Sequence, residues 1–181
     1  MKRFIIALML ILPIIASAQN DTSKQPTKYE DLMSKSRNIC TTHTYDLGHI
    51  ELPAEISNYK IGFNIINKII SNNSYTFLEM SHITFFGSSA IKGSSAIIEV
   101  SAAKELLKAI NDIKQVKDNP SPEGAKTKYS YLGSDGILIT YNDGEWKIEL
   151  DRYTTDCAFT KDIDIFINKL QEAKQKMETI N

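Results

Sequence analysis

Two stretches in the C-terminal half repeat apolar residues at helical spacing. Ala103, Leu106, Leu107, Ile110 and Ile113 recur three and four residues apart, which gathers them on one face of an α-helix. Ser101 stands ahead of them as the expected N-cap, and Asn119 and Pro120 mark the end. A second face comprises Ile163, Phe166, Ile167, Leu170, Ala173 and Met177, with Thr160 as the expected N-cap. Asp162 and Asp164 near its start and Lys174 and Lys176 near its end suit the helix dipole. Between the two helices the period changes to two. Trp146, Ile148 and Leu150 alternate with Lys147, Glu149 and Asp151, the pattern of a strand with one wet face. Turn residues at 133–136 and 142–144 bracket the apolar run 137–141, which predicts an antiparallel meander of at least three strands.

The pattern is more broken upstream. Between Ile39 and Met80 short apolar runs are separated by Gly48, Pro53, Gly62 and the cluster Ser71, Asn72, Asn73, Ser74, which favours strands. Residues 65–70 fit two states, because Ile65, Ile66, Ile69 and Ile70 have helical spacing while isoleucine suits strands. Residues 19–38 read as a polar, mobile leader with one helical turn and Tyr29, Leu32 and Met33 as its anchors. A linker is expected over 118–126. An offset of sixty lays Leu106 on Phe166, Leu107 on Ile167, Ile110 on Leu170, Lys114 on Lys174 and Ile97 on Cys157. The expectation is an α+β fold of antiparallel β-meanders, each followed by an amphipathic helix. It forms a single domain over 39–181, with a candidate duplicated strand-strand-strand-helix unit at 58–117 and 127–179.

The first eighteen residues change the compartment. Lys2 and Arg3 precede an apolar run at 4–15 and then Ala16, Ser17 and Ala18, the three parts of a cleavable signal peptide. The run is twelve residues long, against about 20 for a membrane-spanning helix. No cysteine stands at the junction to carry a lipid, so the expected product is soluble, in the periplasm or secreted, with no membrane span after signal removal. Of the 21 Lys and Arg, two leave with the signal, so 19 face 22 Asp and Glu, a net charge of −3. That balance gives no general attraction to nucleic acid. Cys40 and Cys157 are even in number and bound for a compartment where disulfides persist, which makes them a candidate disulfide. Two buried thiols are the other reading.

The leucine-bearing helix, the Pro-bearing linker, the 128–131 stretch, the Ser134, Asp135, Gly136 turn and the Gly144, Glu145, Trp146, Lys147 hairpin resemble uncharacterised exported proteins of Bacteroidetes. The resemblance covers roughly residues 77–177, and its motifs are structural, with no known activity to carry over. Meander-plus-helix repeats are also similar, in topology alone, to single-strand-binding folds of the Whirly kind, a likeness that licenses no function.

Local motifs select no catalytic, cofactor-binding or metal-binding residue. His43, His49 and His82 lack ligand spacing. No Gly-x-Ser-x-Gly elbow occurs. The 86–95 run has the glycine and lysine of a phosphate loop in the wrong order, since Lys92 precedes Gly93, and reads as an exposed hairpin loop. Glu149, Asp151 and Asp156 could meet as paired acids, although solvated strand faces look the same. Among the aromatics of the meander, Trp146 belongs to the core, while Tyr129, Tyr131 and Tyr153 form a candidate binding surface. The expected function is an exported, non-catalytic protein that binds an unidentified protein or small ligand, without a cofactor. The alternative is a small secreted hydrolase whose site is assembled from distant residues. Export makes a direct prediction: mass spectrometry of the exported protein should give an N-terminus at Gln19, and a product retaining residues 4–15 contradicts the soluble reading.

Overall fold

The computed structural model of the protein describes residues 26–35, 40–54, 58–86 and 89–180; the signal peptide expected over 1–18 lies outside the described residues. Helix α1 (Lys28–Lys35) is followed by strands β1 (Cys40–Leu52), β2 (Tyr59–Ile70), β3 (Asn73–Phe86) and β4 (Ser89–Ile98), then helix α2 (Val100–Val116). A second run holds β5 (Lys128–Leu132), β6 (Leu138–Asn142), β7 (Glu145–Glu149), β8 (Ala158–Thr160) and helix α3 (Asp164–Ile180). The strands make two antiparallel meanders, ordered β1-β2-β3-β4 and β5-β6-β7-β8. The fold is α+β, as the periodicities imply.

Two-residue turns set both central hairpins. Ser71 and Asn72 take φ of 49° and 66°, and Asp143 and Gly144 take 50° and 85°. Both pairs meet the need for two positive φ values in turns that match the twist of paired strands. Residues 65–70 are strand, with Ile65 opposite Leu78 and Ile66 opposite Phe77. Their pattern is ambiguous in sequence because β2 is covered on both faces. Ile61, Phe63 and Ile65 enter the main core, while Ile66, Ile70 and Phe77 are buried outside it.

Part of that second face lies under α1. Thr27 and Glu30 form a capping box, with the Glu30 amide donating to Thr27 Oγ1 at 3.2 Å and the Thr27 amide to Glu30 Oε2 at 2.8 Å. Tyr29 then meets Phe77 edge-on at 5.1 Å, and the Lys68 ammonium sits 5.2 Å from the Tyr29 ring. Within the expected mobile leader, then, two turns of helix dock on the first sheet.

The helix starts also differ from expectation. Glu99 occupies the N-cap of α2 without a side-chain cap bond, so Ser101 lies inside the first turn. Thr160 ends β8, and its Oγ1 accepts the Asp162 amide at 3.0 Å while Asp162 Oδ1 accepts the Asp164 amide at 3.0 Å. Asp162 therefore supplies the cap. Each helix follows four strands instead of three, and the first set includes β1, outside 58–117. The buried positions coincide at the offset of sixty: Ala103 with Ile163 just ahead of α3, and within the helices Leu106 with Phe166, Leu107 with Ile167, Ile110 with Leu170 and Ile113 with Ala173.

Packing crosses between the two meanders. Helix α3 follows the second sheet yet lies against β1, β2 and β3 of the first, while α2 rests on β5 and on α3. Phe166 meets Phe63 with ring centroids 6.0 Å apart. The ion pairs Lys104–Glu178, at 3.0 Å, and Lys114–Asp164 set the two helices antiparallel. Tyr129 Oη donates to the Val116 carbonyl at 2.9 Å. One core cluster takes in residues of both sheets and both helices. Strand β8 is thereby set beside β1 and β2, and Tyr59 meets Phe159 at 5.9 Å. Among the described residues no helix is long and apolar enough to cross a membrane. Because Phe166 sits where the sheet and both helices meet, Phe166→Ala should cost about 3 to 5 kcal/mol, and Leu107→Ala and Ile167→Ala about 2 to 5 kcal/mol each. Chemical denaturation measures this, and losses below about half a kcal/mol at all three positions contradict the packing.

Candidate functional site

The ladder between β3 and β4 is broken at one point. Ser81 pairs with Ser95, but Ile83 pairs with Lys92, so Gly93 and Ser94 together face His82. This is a β-bulge, which bends a strand and re-aims its side chains. The loop between β7 and β8 comes down on it. Asp151 shapes that loop, its Oδ1 accepting the Tyr153 amide at 3.0 Å and its carbonyl accepting Thr154 Oγ1 at 2.9 Å. Further along, Asp156 Oδ2 accepts the Ser94 amide at 2.8 Å. Gly93 leaves the room for this contact, since a Cβ at that position would lie 2.8 Å from Asp156 Oδ2.

A cleft of about 790 Å³ lies at this junction, within the range of small-molecule sites. Asn58 and the start of β2 supply one side with Tyr59 and Lys60, the end of β3 supplies His82, Ile83 and Thr84, β4 supplies Ile91 and Gly93, and the loop supplies Thr155, Asp156 and Cys157. The walls are mixed, with Ile91 53% exposed and Lys60 ion-paired to Glu51 at 2.5 Å.

The polar groups here are under-satisfied. His82 is 8% exposed, and its Nε2 has no hydrogen-bond partner; the same is true of the buried Ser94 Oγ. Among the described residues these are the two buried side-chain polar atoms left without a partner, and both belong to the bulge. Buried orphans are rare because each forfeits its bonds to water. Burial also pulls the His82 imidazole below its usual pKa, partly countered by the Asp156 carboxylate. The Cys157 thiol is pushed up by burial first; Lys147 works against that, and Glu149 and Asp156 add to it. The site thus combines a neutral imidazole, a protonated thiol and a carboxylate. That set binds by hydrogen bonds and one negative charge, while nucleophilic attack by cysteine needs the thiolate.

The other residues singled out from sequence are dispersed. Tyr129 and Tyr131 pack against the core, and burial raises the Tyr131 hydroxyl pKa, with Glu105 and Asp135 adding to it. Tyr153 is exposed in the loop with the Arg152 guanidinium over its ring at 4.7 Å. The three tyrosines therefore do not make one binding face. Glu149 pairs with Lys147 at 3.0 Å and Asp151 holds its turn, so of the three carboxylates only Asp156 lines the cleft. His43 and His49 lie on β1, opposite Asn67 and Gly62, and among the described residues no three ligating side chains cluster for a metal. The 86–95 run is largely strand, with Lys92 bound to Glu79 at 3.0 Å. Its glycine signals the bulge.

Cys40 and Cys157 are free thiols. Cys40 pairs with Ile70 and Leu52 with Tyr59, so Cys40 stands at one end of the β1–β2 ladder and Cys157, in the cleft beside Tyr59, stands at the other. A twelve-residue strand puts roughly 35 Å between those ends, whereas a disulfide needs Cα atoms within about 7 Å. The candidate disulfide is not formed.

No protein-family model and no curated protein sequence matches the chain.

His82 makes stability depend on pH. Its folded pKa lies below the ordinary value of 6.5, so as pH falls the unfolded chain takes up the proton first. The stabilisation is full above the unfolded pKa and is lost as pH falls from there towards the folded one. Urea midpoints should therefore decline between pH 7 and pH 5, less steeply in His82→Gln. Parallel declines in both proteins contradict the assignment.

Proposed function

We propose that the protein is an exported, non-catalytic binding protein and that it takes a small ligand in the cleft between the β3–β4 bulge and the β7–β8 loop. The observation that carries the reading is His82, which lines the cleft with its buried Nε2 unpartnered, beside the Ser94–Asp156 hydrogen bond that closes the loop onto the bulge. Polar groups left unpaired at a cleft are groups to which a ligand can be matched. Export belongs to the proposal through the charged, apolar and small-residue segments of residues 1–18, which also place the ligand in the periplasm or outside the cell. Nucleic acid is disfavoured as a partner by the acidic balance.

The hydrolase alternative is weaker because the thiol in the cleft, Cys157, is pushed by burial away from its nucleophilic thiolate form. A fragment library screened by amide chemical shifts tests the binding reading. Hits should displace the amide signals of Tyr59, His82, Ser94 and Asp156 together. A library whose hits gather elsewhere, or that gives none, contradicts it.

A further inference from the structure

The charges around the cleft are unevenly matched. Each nearby cation already has an anion or a ring: Lys60 is held by Glu51 at 2.5 Å, Lys92 by Glu79 at 3.0 Å and Lys147 by Glu149 at 3.0 Å. Arg152 lies on Tyr153, 4.7 Å from the ring, with one guanidinium nitrogen donating to its hydroxyl at 2.6 Å. Asp156 is the exception. It accepts the Ser94 amide through Oδ2, and among the described residues no lysine or arginine forms an ion pair with it. The side chains beside it bring no compensating charge, since His82 is buried as neutral imidazole and Cys157 as thiol.

This carboxylate is held in place. The Ser94 amide fixes one oxygen, the close approach to Gly93 fixes its position on the bulge, and the Asp151 turn fixes the loop behind it. A charge so positioned loses less entropy on pairing than one on a free side chain. Tyr59, Ile83 and Ile91 add apolar surface to the same cleft. His82 lines the same cleft with its Nε2 unpartnered, and an imidazole nitrogen is able to accept a hydrogen bond of the kind an ammonium or guanidinium donates.

We propose that the cleft takes an organic cation, an ammonium or guanidinium head on an alkyl or aryl body, with Asp156 as its counter-ion. The proposal rests on the ligand-binding reading of the same cleft and names the chemistry of what binds there. The apolar body lies along Tyr59 and Ile91, and the head reaches the carboxylate. An anionic ligand meets the unpaired charge of Asp156 and is repelled.

Three probes with one body and different heads decide the matter: benzylamine, benzyl alcohol and benzoate, titrated at low salt into the full mature chain and followed by amide chemical shifts. Benzylamine should move the signals of Tyr59, Gly93, Ser94 and Asp156 and bind about fivefold more tightly than the alcohol, the scale of a partly exposed ion pair. Benzoate should bind least. The advantage of the amine should shrink with added salt and vanish in Asp156→Asn. Because the three heads are compared on the unaltered protein, the test holds even where that variant fails to fold. Alcohol or benzoate binding in the cleft as tightly as the amine overturns the cation while leaving a ligand site in place. Silence of the cleft towards all three probes, together with fragment hits there of other chemistry, also overturns it; silence towards every fragment overturns the ligand site as well.

Discussion

The apolar face of α3 lies across a sheet to which the helix is not adjacent in sequence, and this placement governs the rest of the molecule. Phe166, Ile167, Leu170, Ala173 and Met177 leave the second meander and cover β1, β2 and β3 of the first. The first sheet therefore obtains its lid only when the whole chain is present, and α2 is free to rest on β5 and α3. Since α3 follows β8 after three residues, docking the helix also draws β8 to the ends of β1 and β2. The loop before β8 is carried along, and Asp156 arrives at the β3–β4 bulge. The cleft is thus a consequence of core packing, its two walls joined by the bond between Ser94 and Asp156, sixty-two positions apart along the chain.

Much of the fold was legible because the helices and the second meander each show water on one face. Leu106, Leu107 and Ile110 keep a 3.6-residue period, and Trp146 and Ile148 alternate with Lys147 and Glu149, as one-sided burial requires. The first sheet was harder. Its β2 is covered on both faces, so Ile65 and Ile66 are both buried and no alternation survives to separate strand from helix. Polar residues inside it add to the difficulty. Buried Asn67 is satisfied by Ser74 at 2.7 Å and Thr76 at 2.9 Å across the hairpin, a pairing visible only once the register is known. The docked α1 did carry a local signature, Thr27 three residues before Glu30, and a polar composition outweighed it.

The cleft was legible only as separate residues. His82, Asp156 and Cys157 each belong to a reactive type, yet none has a neighbour in sequence that marks its role. What joins them is the bulge, and its signal is Gly93, which marks a close approach of other atoms only once the 86–95 run, loop-like by its glycines and serines, is known to be largely strand. The tyrosines stood out in sequence for a different reason. Aromatic residues favour strands whether or not they bind anything, and Tyr129 and Tyr131 spend their rings on the core. The cysteines misled by count alone, because an even number says nothing of where the strand ends fall.

Amide hydrogen exchange at Ser94 tests most directly that the loop of the second meander docks on the bulge of the first. This amide, donated to Asp156 Oδ2, should exchange far more slowly than an unstructured serine. Its exchange should quicken in Asp156→Ala while Phe63 in β2 keeps its protection. Exchange at the unstructured rate, or slow exchange indifferent to Asp156, would contradict this docking.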